Sequence, residues 1–106
     1  MDYSICPKFE SAMGILGQRW TGLIIYQLLE GPKRFCHLES SIGVSGRVLS
    51  ERLKTLEKEG LVKREVYPET PVRIEYILTE KGYAMEPFMD ELQKWAENWL
   101  ATPQKV

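Results

Sequence analysis

Residues 44–79, VSGRVLSERLKTLEKEGLVKREVYPETPVRIEYILT, change their apolar period once, from that of a helix to that of a strand. At 100° per residue, Leu53 and Leu56 fall within about 40° of Leu49, while Arg47, Ser50, Glu51, Lys54 and Lys58 fall on the far side. This predicts a basic amphipathic helix over about 45–59, with Ser45 as N-cap and Gly60 as its stop. Leu61-Val62 then opens a strand. In the return strand Val72, Ile74 and Tyr76 alternate with Arg73 and Glu75, and Tyr67-Pro68-Glu69-Thr70-Pro71 is turn material between the two. A basic helix running directly into a hairpin over about 61–78 is the order of a winged helix-turn-helix, a mainly α chain with a small β-hairpin wing.

Upstream of this block, Cys6-Pro7 opens a first helix, since proline at the first helical position loses no needed N–H, and Cys6 falls at or beside the N-cap. Phe9, Ala12, Met13 and Leu16 recur at helical spacing up to Gly17. A second helix is expected from about Trp20 to Glu30, with Leu23, Ile24, Leu28 and Trp20 facing inward, ended by Gly31-Pro32. Arg34–Ile42 reads as a short third helix. Downstream, Thr79 caps a last helix expected over about 80–100, kinked by Pro87, along which Ala84, Phe88, Leu92, Trp95 and Trp99 form one stripe. That stripe exceeds what a small winged helix covers. The two readings of Phe88, Leu92, Trp95 and Trp99 are a homodimer interface and ordinary core packed back on helix one.

A chain of 106 residues that is 43% apolar can bury one core, so a single domain spanning 1–106 is expected. No apolar run approaches the ~20 residues of a membrane span, and the N-terminus lacks the apolar core of a signal peptide, so a cytoplasmic location is expected. The net charge of −1 conceals an uneven distribution: residues 33–64 carry a local +4 and the rest −5. Distribution, rather than total, bears on nucleic-acid binding. The basic face therefore reads either as a DNA contact or as a merely solvated surface.

Catalytic constellations are absent from the sequence. There is no phosphate-binding glycine loop and no nucleophile elbow, and with one histidine no zinc ligand set or other cofactor site is expected. Cys36 and His37 are neighbours, but adjacent helical residues point about 100° apart and do not face each other. The chain is thus not expected to be an enzyme. Cys6 differs, because a thiol at a helix N-terminus meets the positive end of the helix dipole and unpaired N–H groups, with Lys8 adding charge, and all favour the reactive thiolate. Position alone leaves a second reading open, in which Cys6 is a small apolar plug in a contact.

The segments CPKFESAMGILGQRW, GPKRFCHLESSIG, LSERLKTLEKEGLVKR and YILTEKGYAMEPFMDELQKWAENW together resemble the HxlR family of small winged-helix regulators, which are similar to the MarR type. The cysteine directly before the proline of helix one looks closest to the quinone- and electrophile-sensing branch, of the YodB and QsrR type. The resemblance implies a homodimeric repressor that binds double-stranded DNA at a pseudo-palindromic operator, with Cys6 as sensor thiol and Cys36 as a secondary candidate. Members of the branch can pair the first cysteine with a C-terminal one across the dimer. No cysteine follows Cys36 here, so S-alkylation or a mixed disulfide with a small thiol is the expected switch. On the DNA side, Arg47 and Ser50 are candidates for base edges, Lys54, Lys58, Lys63 and Arg64 for phosphates, and Arg73 for the wing contact, with Ser45 at the start of the reader helix. Arg52 flanks the apolar stripe and could instead pair with a glutamate.

Overall fold

A computed structural model describes residues 2–102. Its elements are α1 (Pro7–Leu16), α2 (Thr21–Leu28), α3 (Phe35–Ile42), α4 (Gly46–Lys58), β1 (Val62–Tyr67), β2 (Arg73–Leu78), α5 (Glu80–Tyr83) and α6 (Glu86–Trp99). This is the winged helix-turn-helix that the change of period predicts. The core gathers Ile24, Ile25 and Leu28 of α2, Leu38 of α3, Leu49, Leu53 and Leu56 of α4, and Leu61, Val62, Leu78 and Met89 around them. Burial of these aliphatic side chains, each contributing about 1.5–3 kcal/mol, holds α4 with its basic face outward.

Local chemistry fixes both ends of α4. The Ser45 hydroxyl accepts the Val48 N–H at 3.3 Å, as an N-cap should. At the other end Gly60 adopts φ 75°, Gly60 N–H reaches the Glu57 carbonyl at 3.0 Å, and Leu61 N–H reaches Leu56 at 2.9 Å. That paired closure needs a residue tolerant of the left-handed region, and it drops Leu61 into the core. β1 and β2 pair antiparallel from Val62 opposite Leu78 to Tyr67 opposite Arg73.

Three features depart from expectation. Leu23 does not face inward; it is 54% exposed, because α2 is apolar almost all round and the stripe Thr21, Ile24, Ile25, Leu28 takes the core side. The single helix expected over 80–100 is two helices, α5 and α6. Pro87 has no N–H to give the Tyr83 carbonyl and sits instead in the first turn of α6, where none is needed. Third, Lys33 forms a bridge with Tyr76, its N–H and carbonyl bonding at 3.0 and 2.8 Å, so the hairpin has a short third edge that the sequence did not reveal.

Candidate DNA interface and thiol site

On α4, Arg47, Lys54 and Lys58 are exposed, while Ser50 is half-buried beside Leu49 and Leu53. One face of a buried helix thus presents three cations in line. Ser45, expected among the DNA contacts, has its hydroxyl engaged as the cap. Arg52 pairs with no glutamate: its Nε donates to the Arg19 carbonyl at 2.9 Å, tying the reader helix to the turn between α1 and α2. The last turn of α4 is tied as well, by Lys81 Nζ to the Glu59 carbonyl and Thr79 Oγ1 to Gly60 at 2.6 Å. A cation at a helix C-terminus also meets the negative end of the dipole.

The wing neutralises much of its own charge. Lys63 Nζ lies 2.6 Å from a Glu65 carboxylate oxygen, and that hydrogen bond, with the carboxylate's charge, raises the ammonium pKa. Arg73 donates Nε and Nη2 to Glu69 at 3.1 and 3.2 Å, reaches Glu75 with Nη1 at 3.1 Å, and stacks 3.9 Å from the Tyr67 ring centroid. The hydrogen bond from Arg73 holds the Glu69 carboxyl below its ordinary pKa, and the same bond raises that of Arg73. Strand alternation puts Lys63, Glu65, Tyr67, Arg73 and Glu75 on one face, with Arg64 exposed on the other. Arg34 lies near enough to Glu69 to lower its pKa slightly further. The Lys33 bridge puts this second basic pair, which the sequence reading passed over, beside the wing. Its only local signal is Lys33-Arg34 directly after the Gly31-Pro32 stop.

Cys6 is the N-cap of α1 and exposed; Cys36, on α3, is exposed too. The Phe9 N–H chiefly, then that of Lys8, lowers the Cys6 pKa. Neither closes a hydrogen bond on the sulfur, so the effect is that of dipoles aimed at it. Lys8 acts through its backbone rather than through its ammonium.

No residue of α1 is buried. Phe9 and Met13 stand exposed, as do Phe88, Leu92, Trp95 and Trp99 on α6, so the aromatic stripe is not core packed on helix one. Between the two helices and α2 runs a groove of about 650 Å³ whose apolar walls include Met13, Leu16, Trp20, Leu23, Phe88 and Leu92. Gly17, Gln18 and Arg19 of the α1–α2 turn complete one side. Among the described residues there is no cluster of metal-ligating side chains, and no helix is long and apolar enough to cross a membrane.

A reader helix exposed on its basic face and followed by a hairpin defines the class: a winged helix-turn-helix transcriptional regulator. The chain belongs to the HxlR-like helix-turn-helix family, whose model matches residues 15–104. Over 97 residues it is 58% identical to the HTH-type transcriptional regulator YvaP of Bacillus subtilis, covering 91% of this chain and 90% of that one. To YodB of the same organism it is 49% identical over 100 residues, covering 93% and 89%. Reduced YodB superposes with a TM-score of 0.82 over 95% of this chain and all of that one, at 47% identity. A quinone-bound form of YodB superposes at 0.78 over 90% and 100%, at 45% identity.

Proposed function

We propose that the chain is a homodimeric repressor that binds a pseudo-palindromic operator and releases it when a quinone or another thiol-reactive electrophile modifies Cys6. The observation that carries this is an exposed thiol, its pKa lowered, at the start of a helix with no fully buried residue, whose Phe9 and Met13 stand exposed. The quinone-bound form of a relative this similar supports the effector class. Chemically, the Cys6 thiolate adds its electron pair to a quinone ring carbon and an S–C bond forms. The ring C=C pair shifts to form the enolate double bond, and the C=O pair passes onto the carbonyl oxygen, which takes a proton from water. Transfer of the ring proton to the second oxygen through solvent then leaves a hydroquinone thioether, and nothing departs. The adduct puts bulk at the first turn of α1, and packed interfaces answer such inserts by moving between discrete arrangements.

On the output side, two copies of α4 enter successive major grooves about one turn (~10 bp) apart. Arg47 and Ser50 face base edges, and Lys54, Lys58 and Arg64 face phosphates. Lys63 and Arg73 each exchange an intrahairpin carboxylate for a phosphate. Such binding is salt-dependent, with a log–log slope of about −0.9 per phosphate neutralised. The test is a mobility-shift titration before and after quinone, on the parent and on Cys6→Ser, with the adduct located by mass spectrometry. Quinone weakens binding by the parent and leaves Cys6→Ser unaffected. Equal sensitivity in both refutes the sensor role, and affinity independent of salt refutes the DNA role in favour of a protein-interaction module.

A further inference from the structure

We propose that Arg52 is a positioning residue, a strut that carries the state of the α1–α6 groove to the reader helix; this rests on the sensor reading above. Arg52 is half-buried on the flank of α4, between the leucine stripe and the basic face. Its Nε holds the Arg19 carbonyl at 2.9 Å, across 33 residues of sequence. Among the described residues this is the one hydrogen bond between the α1–α2 turn and α4. That turn lines the groove with Gly17, Gln18, Arg19 and Trp20.

The carbonyl it holds belongs to the peptide that precedes a residue of unusual backbone conformation. Trp20 is the described non-glycine residue with positive φ, at 80°, and it serves as N-cap of α2. A bulky side chain in the left-handed region is a strained state that persists only while its surroundings over-determine it. The contacts that do so are nameable. The Arg19 guanidinium lies 4.3 Å from the Trp20 ring centroid, Thr21 N–H reaches the Gln18 carbonyl at 3.3 Å, and Arg52 grips the Arg19 carbonyl. The Arg19–Trp20 peptide plane turns about the very bond that φ of Trp20 describes. A return of Trp20 to negative φ rotates that peptide and aims the carbonyl away from Arg52.

The groove and α4 are thereby coupled through a bistable peptide. With the strut made, α4 is braced against the turn in the middle of the helix, two residues from both Ser50 and Lys54. When an adduct at the start of α1 displaces that helix, the turn at its other end moves, the peptide flips, and α4 loses its brace. Loss of the strut therefore mimics modification of Cys6.

The experiment compares operator affinity before and after quinone treatment in the parent, Arg52→Met and Arg52→Lys. Methionine keeps an aliphatic stem against the leucines and removes the donors together with the charge, which Arg52→Lys retains. Thermal unfolding verifies folding, and mass spectrometry verifies the Cys6 adduct. In the parent the two affinities differ by about 5–150-fold, the ordinary range of coupling between sites. In Arg52→Met the ratio falls toward one, because the unmodified variant binds as weakly as the modified parent while the modified variant binds no worse than that. General structural damage would weaken both forms alike. Arg52→Lys, whose ammonium can still donate to the carbonyl, restores part of the ratio. A parental ratio in folded Arg52→Met, or equal weakening of both forms, overturns the strut. A ratio of one in the parent itself overturns the sensor reading, and the strut falls with it.

Discussion

The Phe9 and Lys8 backbone dipoles lower the pKa of Cys6, and the rate of thiol modification measures that lowering. The Phe9 and Lys8 N–H groups stabilise the thiolate, so the folded pKa lies below that of the same thiol in the unfolded chain. Alkylation proceeds through the thiolate; its rate rises with pH through the pKa and levels off above it. In a Cys36→Ser background, the rate of iodoacetamide modification therefore reaches its midpoint at lower pH in native protein than in urea. Below both midpoints the native thiol reacts faster. Superimposed profiles would remove the dipole effect. This site was legible in the sequence because a cysteine, a proline and a helix start are adjacent. The partners of Arg52 and Arg73 were not, because each depends on how the chain folds back: the Arg19 carbonyl is far away in sequence, and Glu69 meets Arg73 only once the wing turn has closed, whereas the Lys63–Glu65 pair, two residues apart on one strand face, is local.

Among the elements, α4 and the hairpin were readable because amphipathic period and turn residues are local signals, whereas the division of α5 from α6 depends on packing as well as on Pro87. Gly82 sits in α5 where an added Cβ would strike the Leu61 carbonyl and the Leu78 side chain. That carbonyl cannot retreat freely, because it accepts the Thr79 N–H at 3.0 Å and so joins the start of the wing to the start of α5. Gly82→Ala is expected to destabilise the protein by about 1–3 kcal/mol, the range for overpacking a filled site. Urea unfolding at fixed protein concentration measures it. A midpoint within error of the parent would mean that α5 slides away from the wing at little cost. The Lys33 bridge teaches the same lesson from the other side. One residue pairing with a strand leaves no periodicity to detect, yet it brings Lys33 and Arg34 alongside the hairpin.

As a whole the molecule is less compact than its length allows. Its radius of gyration is 15.5 Å, whereas a compact domain of this size has one of about 13 Å. The excess accompanies an α1 without a buried residue and an α6 that buries only Met89, leaving Trp99 76% exposed. Exposed aromatic surface of this extent is a cost in water unless something covers it, and a second copy offers the same apolar faces in return. The surplus was visible in the sequence as a stripe, although only the structure separates it from core. Leu92→Glu places a charge in that stripe without touching the reader helix or the wing. At micromolar concentration the parent is expected to sediment as a dimer and Leu92→Glu as a monomer. DNA binding reports the same change independently, because a monomer meets one half-site and neutralises half as many phosphates. The slope of log affinity against log salt therefore falls to about half its parental value. A dimeric Leu92→Glu would place the interface elsewhere, and a monomeric parent, or an unchanged slope in a monomeric Leu92→Glu, would refute the dimeric reading.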